Sequence, residues 1–177
     1  MARSNATADT SCGFHLHLDF NTWSYDGLRR FITLAAPFYS KISRLVHSSR
    51  IRATGGYCAS RSISEFTSDL NNATDIDSLA RVQRNRYHWM NLASLGRHRS
   101  IEIRVHHGTI RSDEVLTWAD FWTKLVFYAA KNKSIRHPSR ITDTYINSII
   151  DNLGLHPLTK QRFESNNPQW IGYRESR

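Results

Sequence analysis

Two short segments of this chain alternate ionisable and aliphatic side chains in a way that few strands do. Residues 14–20 run Phe-His-Leu-His-Leu-Asp-Phe, and residues 101–106 run Ile-Glu-Ile-Arg-Val-His. In a strand, successive side chains face opposite sides. His15, His17 and Asp19 therefore share one face of the first segment, and Glu102, Arg104 and His106 share one face of the second. Phe14, Leu16, Leu18, Ile101, Ile103 and Val105 take the opposite faces. A solvated strand face usually carries Thr, Ser, Lys or Gln. Imidazoles, carboxylates and a guanidinium are the groups that hold metals, neutralise phosphates and move protons.

Three readings compete for these residues. They could form a plain polar face in water. They could bind zinc, since His-x-His-x-Asp-His is a binuclear metallohydrolase pattern, although Phe20 follows Asp19 here. The third reading uses both segments at once. A hard cation such as Mg²⁺ takes carboxylate oxygens and substrate phosphates, so Glu102 supplies an oxygen and His15 completes the shell. Arg104 offers a fork for a carboxylate or phosphate, and His17 is left to contact a nucleotide. Such a site can activate a carboxylate by phosphorylation and let an amine displace the phosphate, with the protein neutralising charge and aligning the reactants.

The elements that must position these residues follow from capping signals and hydrophobic spacing. After the first strand, Ser24 is an N-cap with Asp26 in the first turn. Leu28, Phe31, Ala35, Phe38, Ile42 and Leu45 then recur at helical spacing, interrupted by Pro37, which predicts a kink or break. That stripe should pack on the Phe14/Leu16/Leu18 face. Residues 48–80 are polar and read as a long loop with one short helix. Residues 86–95 resemble a strand, with a turn at 96–99 closing a hairpin onto 101–106. A helix from Ser112-Asp113-Glu114 carries Val115, Trp118, Trp122, Leu125 and Ala129 on one side, its aromatics reading as core. Residues 142–153 form another helix closed by Gly154. Residues 155–177 read as peripheral, with Trp170 as an anchor. The fold class is α+β in a single domain over 1–177: an antiparallel sheet with helices on one face and the other face free for ligands.

Composition narrows the classes. The chain has 177 residues with 40% hydrophobic and 11% aromatic content, enough for one packed core and too apolar for a disordered chain. No apolar run is long enough to cross a bilayer and the N-terminal residues lack a signal-peptide stretch, so a cytoplasmic protein is expected. Cys12 and Cys58 are too few for a disulfide framework, and Cys58 reads as a turn cysteine rather than a nucleophile. His47, His88, His98, His137 and His156 are scattered. The net charge of +9 invites anionic partners, but the arginines are dispersed and no ribonucleoprotein signature accompanies them. A nucleotide or acidic small-molecule or peptide substrate is the favoured partner over nucleic acid.

These motifs carry a family resemblance. Cys12-Gly13-Phe14-His15-Leu16-His17-Leu18 resembles the Cys-Gly-(aliphatic)-His-Val-His-Val strand of amidoligases and glutamate–cysteine ligase-like enzymes. Residues 86–95 and 100–109, from Arg86-Tyr87 through Asn91-Leu92 to Ile101-Glu102-Ile103-Arg104 and Gly108-Thr109, resemble the amidoligase Arg-Tyr…Asn-Leu…Thr-(Val/Ile)-Glu-(Phe/Ile)-Arg…Gly-Thr pattern. Gly56-Tyr57-Cys58 is similar to a Tyr-Cys pair between these motifs. The resemblance spans residues 12–130 in order. It implies the catalytic fold of glutamine synthetase, with ATP and Mg²⁺ on the polar face of the sheet. The implied activity is an ATP-dependent carboxylate–amine ligase, forming an amide through an acyl phosphate on an amino acid, peptide or protein. His15 and Glu102 would then be metal ligands, His17 a nucleotide contact, Arg104 a substrate-carboxylate or phosphate contact, and Arg86 a phosphate contact.

The sequence departs from that pattern in one respect. Family members normally begin with a strand of the Gly-(Val/Phe)-Glu-(Ile/Leu)-Glu type, and upstream of Cys12 the only acid is Asp9. The expectation is therefore a C-terminal part of the catalytic domain, a chain completed by a partner or a second copy, or a relative without turnover. The alternative from a different class is an inactive basic module that binds nucleic acid or another anionic partner.

Overall fold

The two alternating segments lie side by side. In a computed structural model, which describes residue 8 and residues 12–51, 58–83, 85–135 and 140–165, β1 (Gly13–Asp19) runs antiparallel to β3 (Ser100–His107). The short β2 (Met90–Asn91) flanks β3 on its other side, so the sheet order is β1-β3-β2 and β3 is central. His17 pairs with Glu102, Leu16 with Ile103 and Leu18 with Ile101. The polar face of one strand thus continues the polar face of the other.

The register shifts once. Leu16 pairs with Ile103 but Phe14 pairs with His106, so Arg104 and Val105 both lie opposite His15. An extra residue in one strand inverts every side chain beyond it. His106 was expected to share a face with Glu102 and Arg104, and the bulge turns it into the core instead. There it is fully buried, stacks on Trp118 at 3.9 Å between ring centres and accepts a hydrogen bond from Trp122 Nε1 at 2.9 Å. The bulge is held from behind: Arg50 Nη2 and Cys58 Sγ both donate to the Arg104 carbonyl, at 2.8 and 2.9 Å. Cys58 is therefore a buried thiol with a structural contact, and burial raises its pKa.

Helices cover the apolar face. Ser24 caps α1 (Tyr25–Ala35) by accepting from Gly27 N. Pro37 sits in a 3₁₀ turn, Ala36–Phe38, that separates α1 from α2 (Tyr39–Ile42), so the expected break occurs. Leu28, Phe31, Ala35, Phe38, Ile42 and Leu45 are all buried with Leu18 and Ile103 in one core cluster. The segment read as a loop holds two helices, α3 (Ile63–Asn72) and α4 (Ile76–Val82). Each starts with a capping box, Ser62 with Glu65 and Asp75 with Ser78, and each sends apolar side chains, Phe66, Leu70 and Leu79, into the core.

The predicted strand at 86–95 shrinks to Met90–Asn91. The residues before it pair elsewhere, with Ala59 N donating to Tyr87 O and Trp89 N to Ala59 O, and the chain enters a helix at Ser94. The buried Gln83 amide donates to Met90 O and accepts from Leu92 N on the outer edge. The expected turn before β3 is a short helix, α5 (Ser94–His98), closed by Arg99 in the left-handed region at φ 51°. Further on, α6 (Ser112–Lys131) buries Trp118, Phe121, Trp122 and Leu125, and α7 (Asp143–Asn152) precedes Gly154 at φ 63°. The C-terminal part is less peripheral than expected: α8 (Pro157–Glu164) buries Phe163, whose ring stacks on Phe121 at 4.1 Å. Trp170, His137, Gly56 and Tyr57 lie outside the described residues. Among the described residues no helix is long and apolar enough to cross a membrane.

The end of β3 is tied to both α6 and α8 by one buried carboxylate. Glu114 accepts from His107 Nε2 at 2.9 Å and from Arg162 Nη2 at 2.5 Å. Burial alone would raise its pKa, but the hydrogen bonds from His107 and Thr109 and the charges of His107 and Arg162 outweigh that and lower it to about 2. A depressed carboxylate stabilises the fold above its unfolded pKa, and that contribution is lost as pH falls through the folded value. Denaturant titrations should therefore show the stability gap between the native chain and Glu114→Gln closing as pH drops from about 4.5 toward 2. A gap of constant size would show that the ion pairs do not depend on this ionisation.

Candidate active site

Glu102 is the centre of the polar face. It sits on the central strand, is 8% exposed, and accepts hydrogen bonds from side chains of all three strands. Oε1 takes His15 Nδ1 of β1 at 2.9 Å and Arg104 Nη1 of β3 at 2.7 Å, while Oε2 takes Asn91 Nδ2 of β2 at 2.7 Å. His17 Nε2 stands 4.0 Å from Oε1. Burial pushes the Glu102 pKa up, but the bonds from Asn91 and Arg104 and the charges of Arg104 and His15 together hold it below the ordinary range. An ionised carboxylate accepts and never donates, so it dictates the orientation of its neighbours. The Asn91 amide nitrogen must face Glu102, which leaves Asn91 Oδ1 buried with no hydrogen-bond partner.

The same rule sets the protonation of His15. Burial first, then the charges of Arg104 and Arg50, lower its pKa against the opposing pull of Glu102. Neutral His15 donates Nδ1–H to Glu102, and its Nε2 keeps a lone pair. His17 is oriented differently: its Nδ1 lies 2.8 Å from Ser100 Oγ, which is 3.2 Å from Ser94 Oγ. His98, set aside as scattered, meets His17 edge-on with ring centres 5.9 Å apart. Asp19 stays exposed, accepts from Asn21 N at 2.8 Å and lines a separate shallow hollow with His17, His98 and Ser100.

These groups line a cavity of about 280 Å³. Of the residues expected here, His17, Glu102, Arg104 and Arg86 are at its wall, and His15 stands behind Glu102. Arg86 reaches it from the loop before β2, where its guanidinium lies over the Tyr87 ring at 5.0 Å and donates to Tyr87 Oη at 2.9 Å. Arg104 approaches the same ring at 5.6 Å. Asn91, Ala93, Ser94, Arg97 and His98 complete the wall, and their proximity had no local signal beyond the Asn91-Leu92 pair of the family pattern. The wall carries three guanidiniums and two imidazoles against one carboxylate. A second cavity, of about 180 Å³ between α6 and α8, has its charges matched internally, Arg111 with Asp113 and Arg162 with Glu114. The sheet cavity, unlike this one, combines an excess of positive charge with the paired strand motifs.

The sequence matches the picture. Residues 1–126 fit the family model described as "Putative amidoligase enzyme". The chain belongs to the amidoligase family. Membership points it to ligase-type chemistry and spans β1, β2, β3 and the cavity between them. No curated protein matches the chain, and no solved structure does.

Mg²⁺, which the amidoligase resemblance implies, would fall to His15 and Glu102. A carboxylate that holds a histidine by one ring N–H commonly orients the other nitrogen toward a metal. Here, however, Glu102 already takes three donors and two guanidiniums bear on His15. Among the described residues no group of three or more His, Cys, Asp or Glu side chains is placed to hold a metal ion. His15 and Glu102 are brought together as donor and acceptor, and with their neighbours they do not fit the hard oxygen shell that Mg²⁺ requires.

Replacing Glu102 tests the hub. Glu102→Gln replaces one acceptor oxygen by an NH2 group that faces either Asn91 or the His15 and Arg104 donors, and removes the anion that Arg104 pairs with. It should cost about 3 kcal/mol, lowering the melting temperature by about 10 °C for a chain of this size. Asp19→Asn, at an exposed position, should change stability by less than about 0.5 kcal/mol. Calorimetry showing equal effects for the two would contradict a central role for Glu102.

Proposed function

We propose that this chain is an ATP-dependent carboxylate–amine ligase of the amidoligase family, acting on an amino acid, peptide or protein, and that the basic cavity on the sheet binds its anionic reactants. One observation carries the reading: three guanidiniums converge on a wall whose single carboxylate is already engaged by Arg104, His15 and Asn91. Arg104, packed and held by Glu102, is suited to fix a carboxylate or phosphate in one orientation, since its fork is immobilised before the ligand arrives. Arg86 and Arg97, at the rim, are suited to the outer phosphate oxygens. His17 stands between Glu102 and His98 as the nucleotide contact. A cavity of about 280 Å³ takes the phosphate end of a nucleotide, not all of it.

Bound ATP would supply the phosphoryl group that converts the carboxylate to an acyl phosphate, from which the amine displaces phosphate. Within that chemistry the chain's own residues neutralise charge and align reactants. An antiparallel sheet with helices on one face and a polar open face supports the glutamine synthetase-like catalytic fold. Mg²⁺ enters this reading only with carboxylates beyond those of the described residues, from elsewhere in the chain or from a partner.

Calorimetric titration with ATP and an assay of ADP release test the proposal. Arg86→Ala and Arg97→Ala should each weaken ATP binding about tenfold, the loss of one charge-assisted contact, with the melting temperature unchanged. ADP release should require both a carboxylate and an amine. Salt-sensitive binding of ATP and other polyanions alike, with no ADP or amide formed from any amino-acid or peptide pair, would replace the ligase with the basic binding module.

A further inference from the structure

The outer face of α6 is apolar where a solvated helix should be charged. Its core-facing side chains centre on Phe121 and Leu125, and at 100° per residue Thr123 lies directly opposite. Around Thr123 stand Leu116, 66% exposed, and Phe127, 58% exposed, with Ala119 and Ala130 between and beyond them. No charged residue interrupts this stripe, in a chain that carries 24 Lys and Arg. Leu116, Thr123 and Ala130 recur at seven-residue spacing, the period of a helix seam rather than of scattered surface residues.

The stripe is also self-complementary when reversed. Rotation by a half-turn about Thr123 sets Leu116 against Ala130 and Phe127 against Ala119, a large side chain over a small one each time. Beside the stripe runs a row of Asp113, Asp120, Lys124 and Lys131, acidic in the first half and basic in the second. In an antiparallel helix pair the same row of each copy meets itself. Asp113 then comes within two residues, about 3 Å along the axis, of the level of Lys131 of the second copy, and Asp120 equally near Lys124, within reach of the long lysine side chains. The helix dipoles oppose favourably in that arrangement, whereas a parallel pair would set acidic end beside acidic end. From this charge pattern we infer that α6 is the contact through which two copies of this chain associate, antiparallel about Thr123. One helix pair is at the small end of specific interfaces, so the association is a reversible equilibrium and not a permanent dimer.

Sedimentation of the full chain at low salt should show a concentration-dependent dimer. The acidic residues have contacts of their own, Asp113 with Arg111 and Asp120 with His156 N, so the tests fall elsewhere. Phe127→Lys and Lys124→Asp should each weaken association about tenfold, the second effect fading at high salt, with unchanged circular dichroism and melting temperature. Thr123→Cys should close an intermolecular disulfide on mild oxidation, above the background set by Cys12 and Cys58 in the unsubstituted chain. Leu116→Cys should not, because its counterpart lies about 21 Å along the helix, beyond disulfide reach. A chain that remains monomeric, a dimer indifferent to these substitutions, or disulfides at both positions, as a parallel pair would give, overturns the inference.

Discussion

One buried carboxylate organises the polar face of the sheet. Glu102 takes a donor from each of the three strands, His15, Asn91 and Arg104, and is too enclosed to be satisfied by water. Removing a charge from water is costly unless it is hydrogen-bonded, and each donor that compensates Glu102 loses its freedom in return. The result is a wall whose groups are pre-oriented: an imidazole with one defined tautomer, an amide that cannot flip and a guanidinium that cannot swing away. Pre-orientation of this kind is what a ligase needs, since its task is to align charged reactants.

The bulge in β3 lets one strand serve two regions. Up to Arg104 its polar residues face the cavity, and beyond the extra residue His106 faces the helices. Arg50 and Cys58 hold the turned carbonyl of Arg104, so the residues that secure the bulge also steady the arginine in the cavity. The far end of the strand then joins α6 and α8 through His107, Glu114 and Arg162. The sheet is small, and these buried polar links at both ends of β3 complement its hydrophobic packing.

Much of this was legible in the sequence where a pattern is local. Alternation located β1 and β3, three- and four-residue spacing located α1 and α6, and Pro37 and Gly154 marked a break and a stop. His15, His17, Glu102 and Arg104 were brought together by the same alternation. What was missed depended on less visible signals or on distant partners. The boxes Ser62/Glu65 and Asp75/Ser78 are start signals that the polarity of residues 48–80 obscured. The shortening of β2 depends on the distant Ala59, which takes Tyr87 O and Trp89 N, and the placement of His106 on an inserted residue that alternation alone does not reveal. Arg97 and His98 reach the cavity from the short helix α5, and Asn91 from β2 through its pairing with β3. Arg86 was identified through the family pattern and not by its neighbours.

The most direct test of this account is the state of the His15 imidazole, read from nitrogen chemical shifts in the ¹⁵N-labelled chain at pH 7. If Glu102 is ionised and governs the face, His15 is neutral with its proton on Nδ1 and a bare Nε2, as burial and the two nearby guanidiniums require. A proton on Nε2, or a doubly protonated ring, would contradict that arrangement and the pre-oriented wall that follows from it.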